Sequence, residues 1–342
     1  MKKIALSILQ IVITVLLLIW VFHDPVQRHR MTEALRQADY RWIPVAVISY
    51  VIVEVAAALR WQVLMRVQGI ELSFRRTFSL FFIGMFYNQF LPGGTGGDVI
   101  KSYLLLKETP HNKAGALLAV VFDRLIGLVA LVTITGTLVL LRYRWLSQTP
   151  ETRHLLWLLV FLLGSAILAL VTSFIISGFN LLHLLPKRFP AREKLIEISE
   201  AYHLYAHHWP GTLFAFLASL VAHLMTFTMF LCVAYALRAG VHVVDFFAIM
   251  PIERTISSLP ISFGGAGWRE LILQIMLSNL CGVPVEKAKL IGSLGFLIIL
   301  LCSIPGGLVY FFYKPSGAAG HVPLREMESE VASLEHEIGR SE

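Results

Sequence analysis

A small set of ionisable side chains stands inside otherwise apolar sequence: Glu54, Asp98, Asp123, Arg124, Glu253, Arg254, Arg269 and Glu270, with Lys101 close by. A charge at the centre of a bilayer costs about 3 kcal/mol unless it is paired or hydrated. The planar arginine fork binds phosphate oxygens bidentately, so Arg124, Arg254 and Arg269, with Lys101, suit an anionic headgroup. Asp98, Asp123, Glu253 and Glu270 would orient those cations or bind a cationic group. The same charges could instead pair only with one another and lock helices together. Neighbouring residues on a helix point about 100° apart, so Asp123 and Arg124 cannot both face one partner. Nor can Glu253 and Arg254.

The backbone around these charges is broken in two places. Leu91-Pro92-Gly93-Gly94-Thr95-Gly96-Gly97-Asp98 and Leu259-Pro260-Ile261-Ser262-Phe263-Gly264-Gly265-Ala266-Gly267-Trp268-Arg269-Glu270 each end an apolar run with proline and then glycines. Proline stops a helix and glycine lets the chain reverse. Unpaired backbone cannot face lipid, so such an elbow at membrane depth must be buried or line a watery cavity. Two of them, one per half, form the pattern of a transporter-type binding site. The expected elbow backbone is Pro92, Gly93, Gly94, Gly96 and Gly97 in the first, and Pro260, Gly264, Gly265 and Gly267 in the second. Asn88 and Gln89, just before the first turn, would bond either a headgroup or the freed backbone. Glu270 is either a proton-coupled carboxylate or the ion-pair partner of Arg254 or Arg269.

Other chemistries lack their motifs. The nucleotide pattern GxxxxGK[ST] is missing, because Ile100 rather than glycine precedes Lys101-Ser102. No cofactor, metal or nucleic acid is expected. Glu200, His203 and His207 share one helix face, yet without HExxH they read as titratable residues at the headgroup level. Cys232, Cys281 and Cys302 have no paired spacing and read as packing residues.

The elements that must position these residues are membrane helices. The chain of 342 residues is 56% hydrophobic and 15% charged, too apolar for a water-soluble core of this size. Runs of about 20 apolar residues match the hydrocarbon thickness. They occur at 4–22, 43–59, 114–141, 155–176, 213–237 and 290–313, giving about six full spans. Two shorter runs, 78–91 and 246–260, lead straight into the elbows and read as re-entrant or broken helices. The expected fold is therefore all-α and polytopic, with one membrane domain over 1–314. Residues 187–209 form an interfacial amphipathic helix and 315–342 a cytoplasmic amphipathic tail, with 27–40 a weaker amphipathic candidate. The basic start Lys2-Lys3 with no small-residue cleavage site reads as a retained first helix. Lysine and arginine, Arg60 and Lys101 among them, are commoner in the inner loops of an N-in, C-in arrangement, with Lys289 counted outside. Both elbows repeat an order of apolar helix, Leu-Pro, glycines and acid, which hints at an internal duplication.

Together these features resemble the flippase-like family named for the transmembrane region of lysylphosphatidylglycerol synthase, which includes stand-alone UPF0104-type members. The marks are Leu59-Arg60-Trp61, Asn88-Gln89-Phe90-Leu91-Pro92 with Gly96-Gly97-Asp98, Asp123-Arg124-Leu125-Ile126-Gly127-Leu128, and Glu253-Arg254 followed by Pro260 and the second glycine run. Where the family commonly has an arginine near the first elbow, this chain has Lys101. The resemblance implies a bacterial or archaeal cytoplasmic-membrane protein that moves or presents a phospholipid, glycolipid or hopanoid-type lipid. Its partners would be membrane lipids, with a lipid-modifying enzyme or a second copy as further candidates. The synthase activity of fused family members is not expected of this sequence. A rival reading is a non-catalytic partner subunit of a lipid- or glycan-modifying enzyme, docking through the tail.

Overall fold

The computed structural model of the chain describes residues 12–21, 23–90, 96–178, 192–259 and 262–314. Among these, regular structure is helical throughout. The helices are α1 (Val12–Val21), α2 (Pro25–Arg36), α3 (Trp42–Val67), α4 (Phe74–Phe90), α5 (Gly96–Glu108) and α6 (Lys113–Leu146). They continue as α7 (Pro150–Gly178), α8 (Arg192–His207), α9 (Trp209–Ala236), α10 (Val243–Ser257), α11 (Trp268–Cys281) and α12 (Val285–Phe312). A single 3-10 turn, Phe263–Gly265, precedes α11.

Local chemistry sets the boundaries. Asp24 accepts from the Val26 amide at 2.9 Å, with Pro25 opening α2. Asn112 accepts from the Gly115 amide at 3.0 Å to start α6, and donates to the Gln68 carbonyl at 2.7 Å, tying that start to the end of α3. Glu270 reaches back to the Gly267 amide at 2.7 Å to begin α11. That helix ends at Gly282, whose φ of 66° favours a residue without Cβ.

Five helices, α3, α6, α7, α9 and α12, are long and apolar enough to cross a membrane, the shortest having 26 residues. They coincide with five of the six expected spans. The sixth, 4–22, is described only over its last part, α1. Large apolar side chains face outward, with Leu140 82%, Phe161 71% and Leu168 67% exposed, which suits lipid and not water. The expected interfacial helix is present as α8, its first residues and the whole 315–342 tail lying outside the described residues. The 27–40 candidate is helical as α2.

At the centre, α3 and α9 run antiparallel. Trp42 meets Tyr235 at one end, ring centroids 5.0 Å apart. At the other, the Tyr205 hydroxyl donates to the Leu64 carbonyl at 3.1 Å, and Gly211 lies against Val63. Trp61, Phe227, Phe230 and Phe246 are completely enclosed in the cores around this pair.

Besides α1, four further helices between the spans are short. At about 1.5 Å per residue, α4, α5, α10 and α11 measure roughly 20–25 Å, less than a hydrocarbon core of about 30 Å. They form two antiparallel hairpins. In α4/α5, Gly97 lies beside Asn88 and Gly84 beside Lys101. In α10/α11, Gly265 lies beside Ser257 and Arg269 beside Glu253. The hairpins rest on opposite halves of α6. Asp98 and Lys101 reach Arg124 and Asp123 in its first half. Thr255 and Asp245 reach Thr135 and Arg142 in its second.

The turn-side ends of α4 and α5, and of α10 and α11, therefore point at each other near the middle of α6. They meet α12 in the same way: Gly306 and Gly307 pack on Phe82 and Phe86, and Gly292 packs on Glu270. Between them, a Cβ built on Gly264 would lie 3.0 Å from the Phe296 ring and 3.9 Å from Gln89 Oε1. Pro92, Gly93, Gly94 and Pro260 lie outside the described residues, while Gly96, Gly97, Gly264, Gly265 and Gly267 flank the turns.

The charge count for topology needs correction. Arg60, Lys101 and Lys289 do not lie in loops but inside α3, α5 and α12, where each is held by specific partners. Lys289, 5% exposed, donates to the Val21 carbonyl at 2.6 Å and to Gln27 Oε1 at 2.7 Å, pinning the α1–α2 corner to α12. Hydrogen bonds from a charged donor contribute about 1.5–3 kcal/mol, so Lys289→Met is expected to destabilise by about 2 kcal/mol. Its amide exchange should speed up around residues 12–36 while α3 and α9 stay protected. Unchanged exchange there would show that the corner is held by packing alone.

Candidate functional site

The first hairpin carries a network of charges. Asp123 accepts from Arg60 Nε at 2.7 Å and from Lys101 Nζ at 3.2 Å. Lys101 is 3% exposed and its ammonium sits 3.9 Å from the centroid of the Trp61 ring, a cation–π contact that favours keeping the charge in place. Arg60 Nη1 also donates to Ser219 on α9 at 3.2 Å. One triad thus joins α3, α5, α6 and α9.

Arg124 faces the other way, as helix geometry requires. It pairs with Asp98, Nη2 to Oδ2 at 2.5 Å, and its side chain is 58% exposed. The exposed face of α6 around it is apolar, with Leu117, Val121 and Leu128 at helical spacing. Arg124 lies about three turns into α6, roughly 16 Å from its start. A charged pair is thereby presented sideways within a lipid-facing stripe. Asn88 has the backbone role: its Oδ1 accepts from the Gly97 amide at 2.9 Å and closes the first hairpin.

The second hairpin carries Glu253 and Arg269, 1% and 3% exposed. Arg269 Nε is 3.7 Å from Glu253 Oε1, close enough for an ion pair but too long for a hydrogen bond. Arg269 Nη2 donates to the Gly264 carbonyl at 2.5 Å, and the guanidinium lies 4.5 Å from the Phe296 ring centroid. Glu270 is 2% exposed and divides its oxygens between the Gly267 amide and Ser293 Oγ, the latter at 3.3 Å. Its contacts are those of a cap that holds the turn, with no cation within ion-pair distance among the described residues.

Buried polar atoms without hydrogen-bond partners gather here: both Glu253 oxygens, Arg269 Nε and Nη1, Ser257 Oγ, Ser262 Oγ and Trp268 Nε1. Native interiors leave few such atoms, so a concentration of them marks a place where water or a ligand completes the bonding. The side chain of Arg254, half-buried on α10, makes no hydrogen bond or ion pair with the described residues. Glu54, midway along α3, is 5% exposed and leaves Oε2 without a partner. Among the described residues no three of His, Cys, Asp and Glu are grouped closely enough to hold a metal. His203 and His207 contact the carbonyls of Ser177 and His203.

Of the sequence-derived candidates, Asp98, Lys101, Asp123 and Arg124 gather at the first hairpin, and Glu253, Arg269 and Glu270 at the second, with Arg254 beside them. Arg60 was not among the candidates, although it ties the first group together. The apolar residues on both sides of it, 56–59 before and Trp61, Val63, Leu64 and Met65 after, are the signal that it lies within a span.

Fold and site define an all-α, multi-pass membrane protein with two opposed helical hairpins whose broken ends carry buried charge. The chain belongs to the family described as Lysylphosphatidylglycerol synthase TM region, which matches residues 7–306. It is similar to a UPF0104 membrane protein of Pyrococcus horikoshii, 29% identical over 134 residues, 39% of this chain and 38% of that protein. A UPF0104 membrane protein of Methanothermobacter thermautotrophicus is 28% identical over 151 residues, 42% and 41% of the two chains. One of Methanocaldococcus jannaschii is 26% identical over 149 residues, 42% and 43%. The chain spans about two fifths of the length of these curated relatives.

Proposed function

We propose that this protein is a lipid translocase that carries a polar headgroup between leaflets while the acyl chains stay in the bilayer. The observation that carries the reading is the convergence of two short hairpins along α6, with Gln89 near the end of α4 and Gly264 before α11 coming together beside Phe296 of α12. Helices too short to cross, tipped by glycines and lined by buried charge, are the usual construction of a midplane site with access from either side. In this reading both hairpins are re-entrant, the amino and carboxy termini are cytoplasmic, and the membrane is the cytoplasmic one.

A headgroup would first meet Arg124 and Asp98 on the lipid-facing stripe, then exchange into the space bordered by Arg254, Arg269 and Glu253. Phosphate oxygens suit the arginine forks. Lys101 and Arg60 are already engaged by the one Asp123 carboxylate, and their part is to hold the first hairpin. No residue pattern of an activated nucleophile accompanies these groups, so movement and not bond chemistry is the proposed activity.

Proteoliposomes with headgroup-labelled lipid and a membrane-impermeant quencher test it. Protein-dependent loss of the protected signal is expected, slowed roughly tenfold or more by Arg254→Ala, about 1.4 kcal/mol in the barrier. Arg153→Ala, at the exposed start of α7, should behave as the unmodified protein. Lipids that stay in their leaflet with folded protein present would overturn the proposal.

A further inference from the structure

A single carboxyl group lies between the two hairpins and is used by neither. Glu54 stands at the centre of the 26-residue α3, buried, with Oε2 lacking any hydrogen-bond partner. The Tyr50 hydroxyl, one turn away on the same helix, is a hydrogen-bond partner of the carboxyl group, but no cation comes within 4.0 Å of it among the described residues. The charged and titratable groups around it come from several elements. Tyr50 and Arg60 share its own helix, Arg254 approaches from α10 and Cys302 from α12. Tyr50 also feels Arg269 of α11 and touches Met85 of α4. His223 of α9 lies towards Arg60 and Arg254, its Nε2 at the Gly127 carbonyl. Arg60 is engaged by Asp123 and Arg269 by Glu253, which leaves Arg254 as the one uncommitted cation within electrostatic reach of Glu54 among the described residues.

We propose that Glu54 is a proton-binding site at the bilayer midplane whose occupancy is linked to an anion on Arg254. With Arg254 free, its charge compensates the carboxylate. When a phosphate-bearing group takes the guanidinium, that compensation is lost, and Glu54 accepts a proton from hydronium, one O–H bond of which breaks to leave water as an O–H bond forms on Oε2. A lone carboxylate in the middle of a membrane is costly, and the proton removes the charge. Linkage works in both directions, so a proton on Glu54 also releases Arg254 for the anion. The pair would load a negative group and a positive proton together and present a neutral sum to the membrane. This inference shares Arg254 with the translocase reading but requires no transport step, so the two can fail separately.

Infrared spectroscopy of the full chain in nanodiscs tests it through the C=O stretch of a protonated, buried carboxyl group. Three preparations are compared across a pH titration: phosphatidylcholine alone, the same with inorganic phosphate, and the same with phosphatidylglycerol. A band that disappears in Glu54→Gln and moves in Glu54→Asp is expected. Its midpoint should rise by about one pH unit or more when the anion is present, a tenfold change in proton affinity. A rise with phosphatidylglycerol alone identifies a lipid headgroup as the anion; a rise with both identifies the phosphate group itself. In Arg254→Gln the midpoint should sit at the higher value with or without anion. The proposal is overturned by a band unaffected by either substitution at Glu54, by one saturated throughout the titration without anion, or by a midpoint that no anion moves. An Arg254→Gln protein that still responds to anions would overturn it as well.

Discussion

Gly97→Ala should collapse the first hairpin. A Cβ there would lie 1.8 Å from the Gly84 carbonyl oxygen and 2.6 Å from the Asn88 amide nitrogen, and both are backbone atoms that cannot rotate away. The helices touch main chain to main chain at this point, which only small residues permit. Relief would require α4 and α5 to separate, breaking the Asn88–Gly97 hydrogen bond and drawing Lys101 off Asp123. Overpacking of this kind costs about 3 kcal/mol or more, so thermal unfolding in detergent should come roughly 5 °C or more earlier. Gly136 is the matched control, since nothing lies within 4 Å of a Cβ at that position in α6. Gly136→Ala should be neutral or stabilising by up to about 1 kcal/mol through helix propensity. Equal melting of the two variants would mean that the close approach of α4 and α5 is not part of the folded protein.

Asp123→Ala is expected to be at least as damaging, for an electrostatic reason. It strips the shared acceptor from Lys101 and Arg60, leaving two cations enclosed at 3% and 12% side-chain exposure. Removing one partner of a buried ion pair costs about 3–5 kcal/mol, mostly because the other charge is left uncompensated. Adding Lys101→Met should return part of that loss, with a coupling of about 1 kcal/mol or more between the sites. Full recovery is not expected, because Arg60 keeps its charge and only Ser219 remains to it. A single variant that unfolds as the parent does would exclude the triad as a structural centre.

The parts of this fold that could be read from sequence are those set by local periodicity. Five spans, the helix α8 and the breaks between α4 and α5 and between α10 and α11 follow from apolar runs and breakers. The opposite facing of Asp123 and Arg124 follows from helix geometry alone. Partner choice was harder, because it depends on contacts between distant segments. Arg60 looked like a loop residue since it follows an apolar run, but α3 continues for seven residues more and α9 packs along its whole length. Asn88 and Glu270 bond freed backbone at the two turns, which for Asn88 is one of the two roles its position before the proline suggested. The span expected over 114–141 extends to Leu146 because Arg142 continues the helix and pairs with Asp245 of α10. The lack of an ion-pair partner for Glu54 depends on how far the cations of distant helices stand from it, and no local pattern encodes that.

The packing of Gly306 and Gly307 against Phe82 and Phe86 has a consequence for biogenesis. The first hairpin emerges from the ribosome early, yet the surface that seals it belongs to α12, made when more than half of the chain has followed. Throughout that interval α4 and α5 must wait beside the translocon with an uncovered flank and a polar tip. A nascent protein truncated before α12 should therefore be a preferred client of membrane-insertion chaperones and quality-control proteases, and release from them would coincide with docking of the final segment.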